Sequence, residues 1–399
     1  MKVLEINTVC GRGSTGRIAV DIAERAIKKG YEVCIAYGRG KTNYSNSYHI
    51  GNVFDNYKHA ALSRISDKQG LYSKMPTSRF LMFLDEYRPD IVHLHNIHGY
   101  FLNFEMLFNY LKQKNIPIVW TFHDCWPFTG HCVHFDFANC NKWEKECSEC
   151  PLKKEYPASY LNDNSRKNYL LKKQLFSSID NLYIVTCSYW LERLVRKSFL
   201  SDKRIRTIHN GIDLSRFKKD ETNSFRKKHN LEGRKILLGV ADGFDKQKGL
   251  FEFVELSKHV SRDYVIVLVG CESKLPNNSN IITIPRTQNF DELLEIYFAA
   301  DCFLNLTLND NFPTVNLEAL ACGLPVVTYA TGGSPESIDE TCGVVVKQHD
   351  ILGLLKAISV AECIPKSNCL NRAKCFDKEQ SFDEYVDIYN EIIKDRGQT

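Results

Sequence analysis

No apolar run in this 399-residue chain approaches the ~20 residues that a membrane-spanning helix needs. The longest, such as YVIVLVG at Tyr264–Gly270, have the length of a strand. The opening MKVLEINTVC lacks the apolar stretch of a secretory leader and reads as a first strand. An excess of one charge is missing too: 52 Lys and Arg stand against 48 Asp and Glu, a net +4. Nucleic acid calls for clustered basic side chains, so it is not an expected partner. The balance suits an anionic small substrate, with at most weak attraction to anionic lipid. Low-complexity tracts and solenoid-length repeats are absent as well. These absences leave a globular cytoplasmic protein of two domains, whose fifteen cysteines are expected mostly reduced. Dispersed ones such as Cys34, Cys187, Cys271, Cys302 and Cys322 read as small buried hydrophobes.

What the chain does have is alternation. KVLEINTV, YEVCIAYG, DIVHLHN, IPIVWTFHD and LYIVTCS read as strands separated by amphipathic stretches. The first such stretch puts Ile18, Ile22 and Ala26 on one helical face and ends at Gly30. The pattern then restarts: RIRTIHNGID gives a strand and turn, and RKILLGVAD, YVIVLVG, NIITIP, DCFLNLT and LPVVTYA follow. Strand–helix alternation implies parallel sheets wound through right-handed crossovers. The expected fold class is α/β: two doubly wound, Rossmann-like domains facing a central cleft, over 1–195 and 203–376. A final helix over 377–399 completes the chain, and an irregular insertion occupies about 125–157. Ligands of such sheets bind at the carboxyl ends of the strands.

Two motifs follow strands. GRGSTG, Gly11–Gly16, has the form G-x-G-x-x-G at a helix mouth, where Gly13 and Gly16 allow close approach to a phosphate or sugar. A nicotinamide dinucleotide would want an acid after the second strand, and AYGRG has none; Arg39 hints at most at a 2′-phosphate. The second motif runs from Asn309 to Glu336. Asp310 lies in a loop, and Glu318 lies eight residues on, inside a helix that opens near Thr314. Carboxylates suit ribose or sugar hydroxyls, while the backbone N–H groups of the helix mouth suit phosphate. Together they suggest a sugar–diphosphate–nucleoside.

This second stretch resembles the donor-binding signature of the retaining family 4 glycosyltransferases of GT-B fold. It matches as Asp310, Phe312-Pro313, Glu318, ALACGLPVV, Gly332-Gly333 and Pro335-Glu336. STGR, DIVHLHN, TFHD, HNGID and KQKG match elsewhere, so the resemblance spans nearly the whole chain. It implies that Glu318 holds the nucleotide ribose and that Asp310, where Glu is commoner, lies near the donor sugar. Lys248 would neutralise the diphosphate. The family often has an Arg five residues before that Lys; here Gly243 stands there, and Lys246 would supply the charge. Phe312, Pro313, Thr314 and Val315 would line the donor site, and His123 would lie near the sugar. The final helix would cross back to the first domain. The reaction implied needs no cofactor: a UDP- or GDP-sugar donates to a glycan or undecaprenyl-linked acceptor in bacterial surface-polysaccharide synthesis. Alternatives are another GT-B enzyme, such as an epimerase or a sucrose-synthase-like enzyme, or a non-catalytic metal-ribbon sugar-binding protein.

His95 and His123 end consecutive strands and are expected at the ligand side, whereas His93 is expected on the opposite face, in the core. His98 and Asp124 flank them. Ser165–Phe176 carries Arg166, Lys167, Lys172 and Lys173 and reads as a solvated basic face over a core stripe; the alternative is a peripheral membrane contact. Cys132, Cys140, Cys147 and Cys150 fall within nineteen residues. Their spacing allows structural zinc, packed thiols or disulfides, with His131 and His134 as reserve ligands. A subset of family 4 enzymes carries a similar Cys-rich insertion, and that resemblance favours a zinc staple whose base is Trp126–Phe128.

Overall fold

The computed structural model describes residues 1–217, 224–273, 275 and 280–397. It separates into two compact units, Met1–His209 with Glu379–Thr399, and Asn210–Lys378. Among the described residues, no helix is long and apolar enough to cross a membrane.

The first unit is built on seven strands: β1 Lys2–Asn7, β2 Glu32–Tyr37, β3 Ser47–His49, β4 Ile91–Leu94, β5 Ile118–Phe122, β6 Leu182–Thr186 and β7 Arg204–Thr207. Their order is β3-β2-β1-β4-β5-β6-β7, and each pairing is parallel. Strands buried on both faces read as continuous apolar runs, as KVLEIN and EVCIAY do. One face is covered by the Gly13–Lys28 helix, through Ile18, Ile22, Ala23 and Ala26, and by the Lys378–Gly397 helix. The latter adds Phe382, Tyr385, Val386, Tyr389 and Ile392, at the three-to-four-residue spacing of one helical face. Arg25 pins the two helices together through Asp383 and Glu379.

The second unit holds β8 Lys235–Val240, β9 Tyr264–Val269, β10 Ile281–Ile284, β11 Cys302–Asn305, β12 Val326–Tyr329 and β13 Gly343–Val346, in the parallel order β10-β9-β8-β11-β12-β13. In both sheets the chain first builds outward on one side of its first strand, then jumps to the other side. The switch points therefore lie between β1 and β4 and between β8 and β11, where the outgoing loops diverge and leave a crevice.

Two expectations are corrected here. RIRT, read as the opening of the second domain, is β7, the edge strand of the first sheet, and the division falls at His209/Asn210. Its alternate residues are exposed, and Arg204 and Arg206 pair with Asp395 and Glu391 of the last helix, so it has no apolar face to betray its sheet. The basic segment is the Ser165–Ser177 helix, and Lys172 is not on its solvated face. It is 1% exposed, and its Nζ donates to the carbonyls of Trp126 (2.7 Å) and Thr129 (3.0 Å). Arg166, Lys167 and Lys173 do face water, beside Leu170.

Candidate functional site

In the second unit, the loops that leave β8 and β11 are tied to one another. Leu308 N–H donates to the Gln247 carbonyl (2.8 Å), and so does the Thr307 hydroxyl (3.2 Å). Gly249 makes this approach possible: a Cβ there would sit 2.2 Å from the Leu306 carbonyl oxygen. The result brings Lys248 Nζ to 3.0 Å from Asp310 Oδ2, an ion pair that stays partly open to water, with the lysine side chain 41% exposed and the aspartate 21%. Gly332 presses the third loop against the same place, since a Cβ there would meet the Asp310 carbonyl oxygen at 1.7 Å.

The helix over Thr314–Ala321 starts at Pro313 with no side-chain cap, and the helix after Lys248 starts at Gly249, likewise uncapped. Asn52, Asn103, Ser188, Asn289 and Asp350 cap five other helices, while those after Ser73, Asn164 and Pro365 are also uncapped. Uncapped first-turn N–H groups remain available to an anion. Thr314 and Val315 lie half-buried in that first turn, while Phe312 and Pro313 are buried ahead of it. Glu318, half-buried one turn further on, accepts from the Tyr297 hydroxyl at 3.0 Å. Asn210 of the HNGID motif donates to the Phe312 carbonyl (3.3 Å). Lys246 is exposed.

In the first unit, Gly13 opens the Gly13–Lys28 helix at φ +62°, and Gly16 packs on Val9, so the turn is tight and its start carries no side-chain cap. His95 follows β4 and His123 follows β5. Nδ1 of His95 lies 3.0 Å from Nε2 of His123. Burial pushes the His123 imidazole down to about 4, so it is neutral at pH 7. His98 Nε2–H donates to the Asp124 carboxylate at 2.7 Å, which also accepts from Trp126 N–H at 2.9 Å. Burial opposes the charge on Asp124, but His98 and that N–H outweigh it and hold the carboxyl below its usual value.

The assignment of His93 to the opposite face is wrong. Residues two apart in a strand share a face, and the His93 and His95 rings are 4.3 Å apart. Sequence reading also missed Glu5 and Tyr297. A signal existed for Glu5, a lone acid inside an apolar strand; none existed for Tyr297.

All fifteen cysteines are free thiols. Cys132 and Cys150 share a hydrogen bond, which pulls the Cys150 thiol down and pushes that of Cys132 up. Burial pushes the Cys147 thiol up to about 12, against a hydrogen bond from Gly130 N–H (3.3 Å), whereas Cys150 also accepts from Leu152 N–H. Four thiols are the donor type that a structural zinc site uses. The sulfurs are not gathered into a closed cage: among the described residues, only Glu5, His93 and His95 offer three ligand atoms all within 4.8 Å of one another. His131 is engaged through Nδ1 by the buried Asp67. Trp126–Phe128 is a buried turn of 3-10 helix beneath this loop.

The comparisons agree with this architecture. The Glycosyltransferase Family 4 profile matches residues 15–216, and that of Glycosyl transferases group 1 matches residues 221–368. The chain is 24% identical over 376 residues to the Escherichia coli (strain K12) protein described as colanic acid biosynthesis glycosyl transferase WcaC, covering 89% of this chain and 90% of that one. Among solved structures, sucrose-phosphate synthase from Thermosynechococcus elongatus superposes with a TM-score of 0.72 at 16% identity, covering 98% and 99% of the two chains. Anabaena HepE in complex with UDP-glucose gives 0.65 at 13%, covering 98% and 100%. The chain has the two-domain GT-B fold and belongs to Glycosyltransferase Family 4.

Proposed function

We propose that this glycosyltransferase moves a sugar, with retention, from a nucleoside-diphosphate donor to a hydroxyl of a glycan or lipid-linked glycan in surface-polysaccharide synthesis. The Lys248–Asp310 pair at the β8/β11 switch point, beside an uncapped helix start, carries this reading. As the bond between the anomeric carbon and the diphosphate oxygen breaks, negative charge grows on phosphate oxygens, where an ammonium and aligned N–H groups stabilise it. The acceptor oxygen forms its bond on the same face, and its proton leaves with the phosphate. Glu318 accepts from the ribose hydroxyls, Asp310 and His123 meet the sugar, and Lys246 adds cationic charge from the rim. Gly13 and Gly16 keep the first unit's loop low enough to lie along the ligand. HepE, solved with UDP-glucose, and WcaC, described as acting in colanic acid synthesis, support donor and setting by similarity. Stabilisation of the full chain by a panel of UDP- and GDP-sugars, followed by NMR of the product's anomeric configuration, tests the reading. Failure of every nucleotide sugar to raise the melting temperature, or an inverted product, overturns it.

The Cys132, Cys140, Cys147 and Cys150 thiols would hold one zinc ion as a staple of the irregular loop, with Lys172 holding the loop's base from beneath. Elemental analysis of the purified protein is expected to give a zinc-to-protein ratio near one. A ratio near zero sinks the staple.

A further inference from the structure

One face of the first sheet carries a polar row inside an apolar core. Glu5 of β1 pairs in register with His93 of β4; His95, Thr121 and His123 continue on that face towards the strand ends. Val3, Ile91, Val119 and Val185 share it, under Tyr385 and Tyr389 of the last helix. Glu5 is 0% exposed, and neither of its carboxyl oxygens has a hydrogen-bond partner. Such a group is costly to bury and calls for a reason. Its Oε2 lies 3.3 Å from Nε2 of His95, an atom that also lacks a hydrogen bond. Nδ1 of His95 in turn faces Nε2 of His123 at 3.0 Å. His93 stands outside this chain. Its ring nitrogens are occupied by the Tyr389 hydroxyl (2.6 Å) and the Thr121 hydroxyl (2.8 Å), so a metal ion gathered by Glu5, His93 and His95 would have to break both bonds.

A carboxyl, an imidazole and a second imidazole in line allow only two consistent directions of donation. If Glu5 is ionised, it accepts from His95 Nε2–H, His95 Nδ1 accepts from His123 Nε2–H, and Nδ1 of His123 is an acceptor. If Glu5 is neutral, its O–H has no acceptor other than His95 Nε2, because neither carboxyl oxygen has another partner, and every direction reverses. We propose that Glu5 is a positioning residue: through His95 it fixes the proton of His123 on Nδ1 and makes that edge of the ring a hydrogen-bond donor.

The neutral direction is the one the surroundings select. An ionised Glu5 would be a buried charge without hydrogen bonds, and burial holds its carboxyl well above the usual range. Burial equally disfavours the cationic forms of His93, His95 and His123, and the phenolate forms of Tyr385 and Tyr389. The row then carries no net charge at neutral pH. Of Glu5, His93, His95 and His123, only His123 reaches solvent. In the proposed reaction, on which only this consequence rests, His123 donates to an oxygen of the ligand and is not the base that takes the acceptor proton.

The direct test is nitrogen NMR on the full chain with 15N-labelled histidine at pH 7, assigned with His95→Ala and His123→Ala. In wild-type protein, His95 and His123 are both expected to carry the proton on Nδ1. Glu5→Gln, whose amide still donates, keeps that pattern. Glu5→Leu releases both rings to the Nε2–H form or to averaging, and kcat/KM for sugar transfer falls about three- to tenfold, because the competent tautomer is only partly populated. Wild-type spectra with His95 or His123 protonated on Nε2 overturn the proposal without any variant. Unchanged tautomers in a folded Glu5→Leu chain do so as well. The expected tautomers in a chain that transfers no sugar would leave this proposal standing and overturn the function above.

Discussion

The two sheets end in opposite electrostatic settings. Within β1 and β4 and just beyond β4, Glu5, His93 and His95 are sealed from water and held neutral by burial. Beyond β8 and β11, Lys248 and Asp310 form an ion pair in contact with solvent. The difference shows how two sheets of the same winding are set up for different tasks. The charge proposed to answer a diphosphate lies near water, where holding it costs little and its partner can be exchanged. In the proposed row, a group that presents one edge of a ring is set from within the core, where few polar neighbours compete for it.

The comparison can be broken at several points. Lys248→Ala is expected to lower kcat/KM by about 10²- to 10³-fold. Its melting temperature should hardly move, because an exposed ion pair is worth only ~0–1 kcal/mol. Aggregation or unfolding of that variant would assign Lys248 to the scaffold. Glu318→Ala should raise the dissociation constant of the nucleotide by about 10- to 100-fold, the range of a hydrogen bond to a charged group. Equal binding would remove Glu318 from the ribose.

Lys172 sharpens the buried side. Burial lowers its ammonium to about 7, against 10.5 for a lysine in water. Between those values the unfolded chain binds the proton more firmly than the folded one. Wild-type stability should therefore rise relative to Lys172→Met from pH 7 towards 10, and the difference should be flat below about 7. Urea titrations across that range check the slope. Arg166→Ala, which removes an exposed pair with Glu146, is expected to change stability by no more than about 0.5 kcal/mol.

Much of this was legible in the chain. Apolar runs such as KVLEIN and YVIVLV become central parallel strands, and the spacing of Asp310, Glu318 and the paired glycines marks a loop and helix whose close contacts leave no room for a Cβ at Gly332. What stayed hidden depends on tertiary neighbours. RIRT has no apolar face and takes its place through ion pairs with a helix about 185 residues away. Lys172 looks like its solvated neighbours Arg166 and Lys173 until the carbonyls of the insertion loop fold over it. Tyr297 reaches Glu318 from a different helix, 21 residues away in the chain. Glu5 was visible as an acid inside a strand, but its relation to His95 needs the β1–β4 pairing.

The central claim is that the diphosphate of the donor is held at the β8/β11 switch point. Calorimetric titration of UDP and GDP into wild-type protein and into Lys248→Ala tests it most directly. The account predicts that one nucleotide binds the wild type, that binding weakens with salt, and that the variant loses at least tenfold in affinity. Equal affinity in the two chains, or no binding of either nucleotide to the wild type, would contradict it.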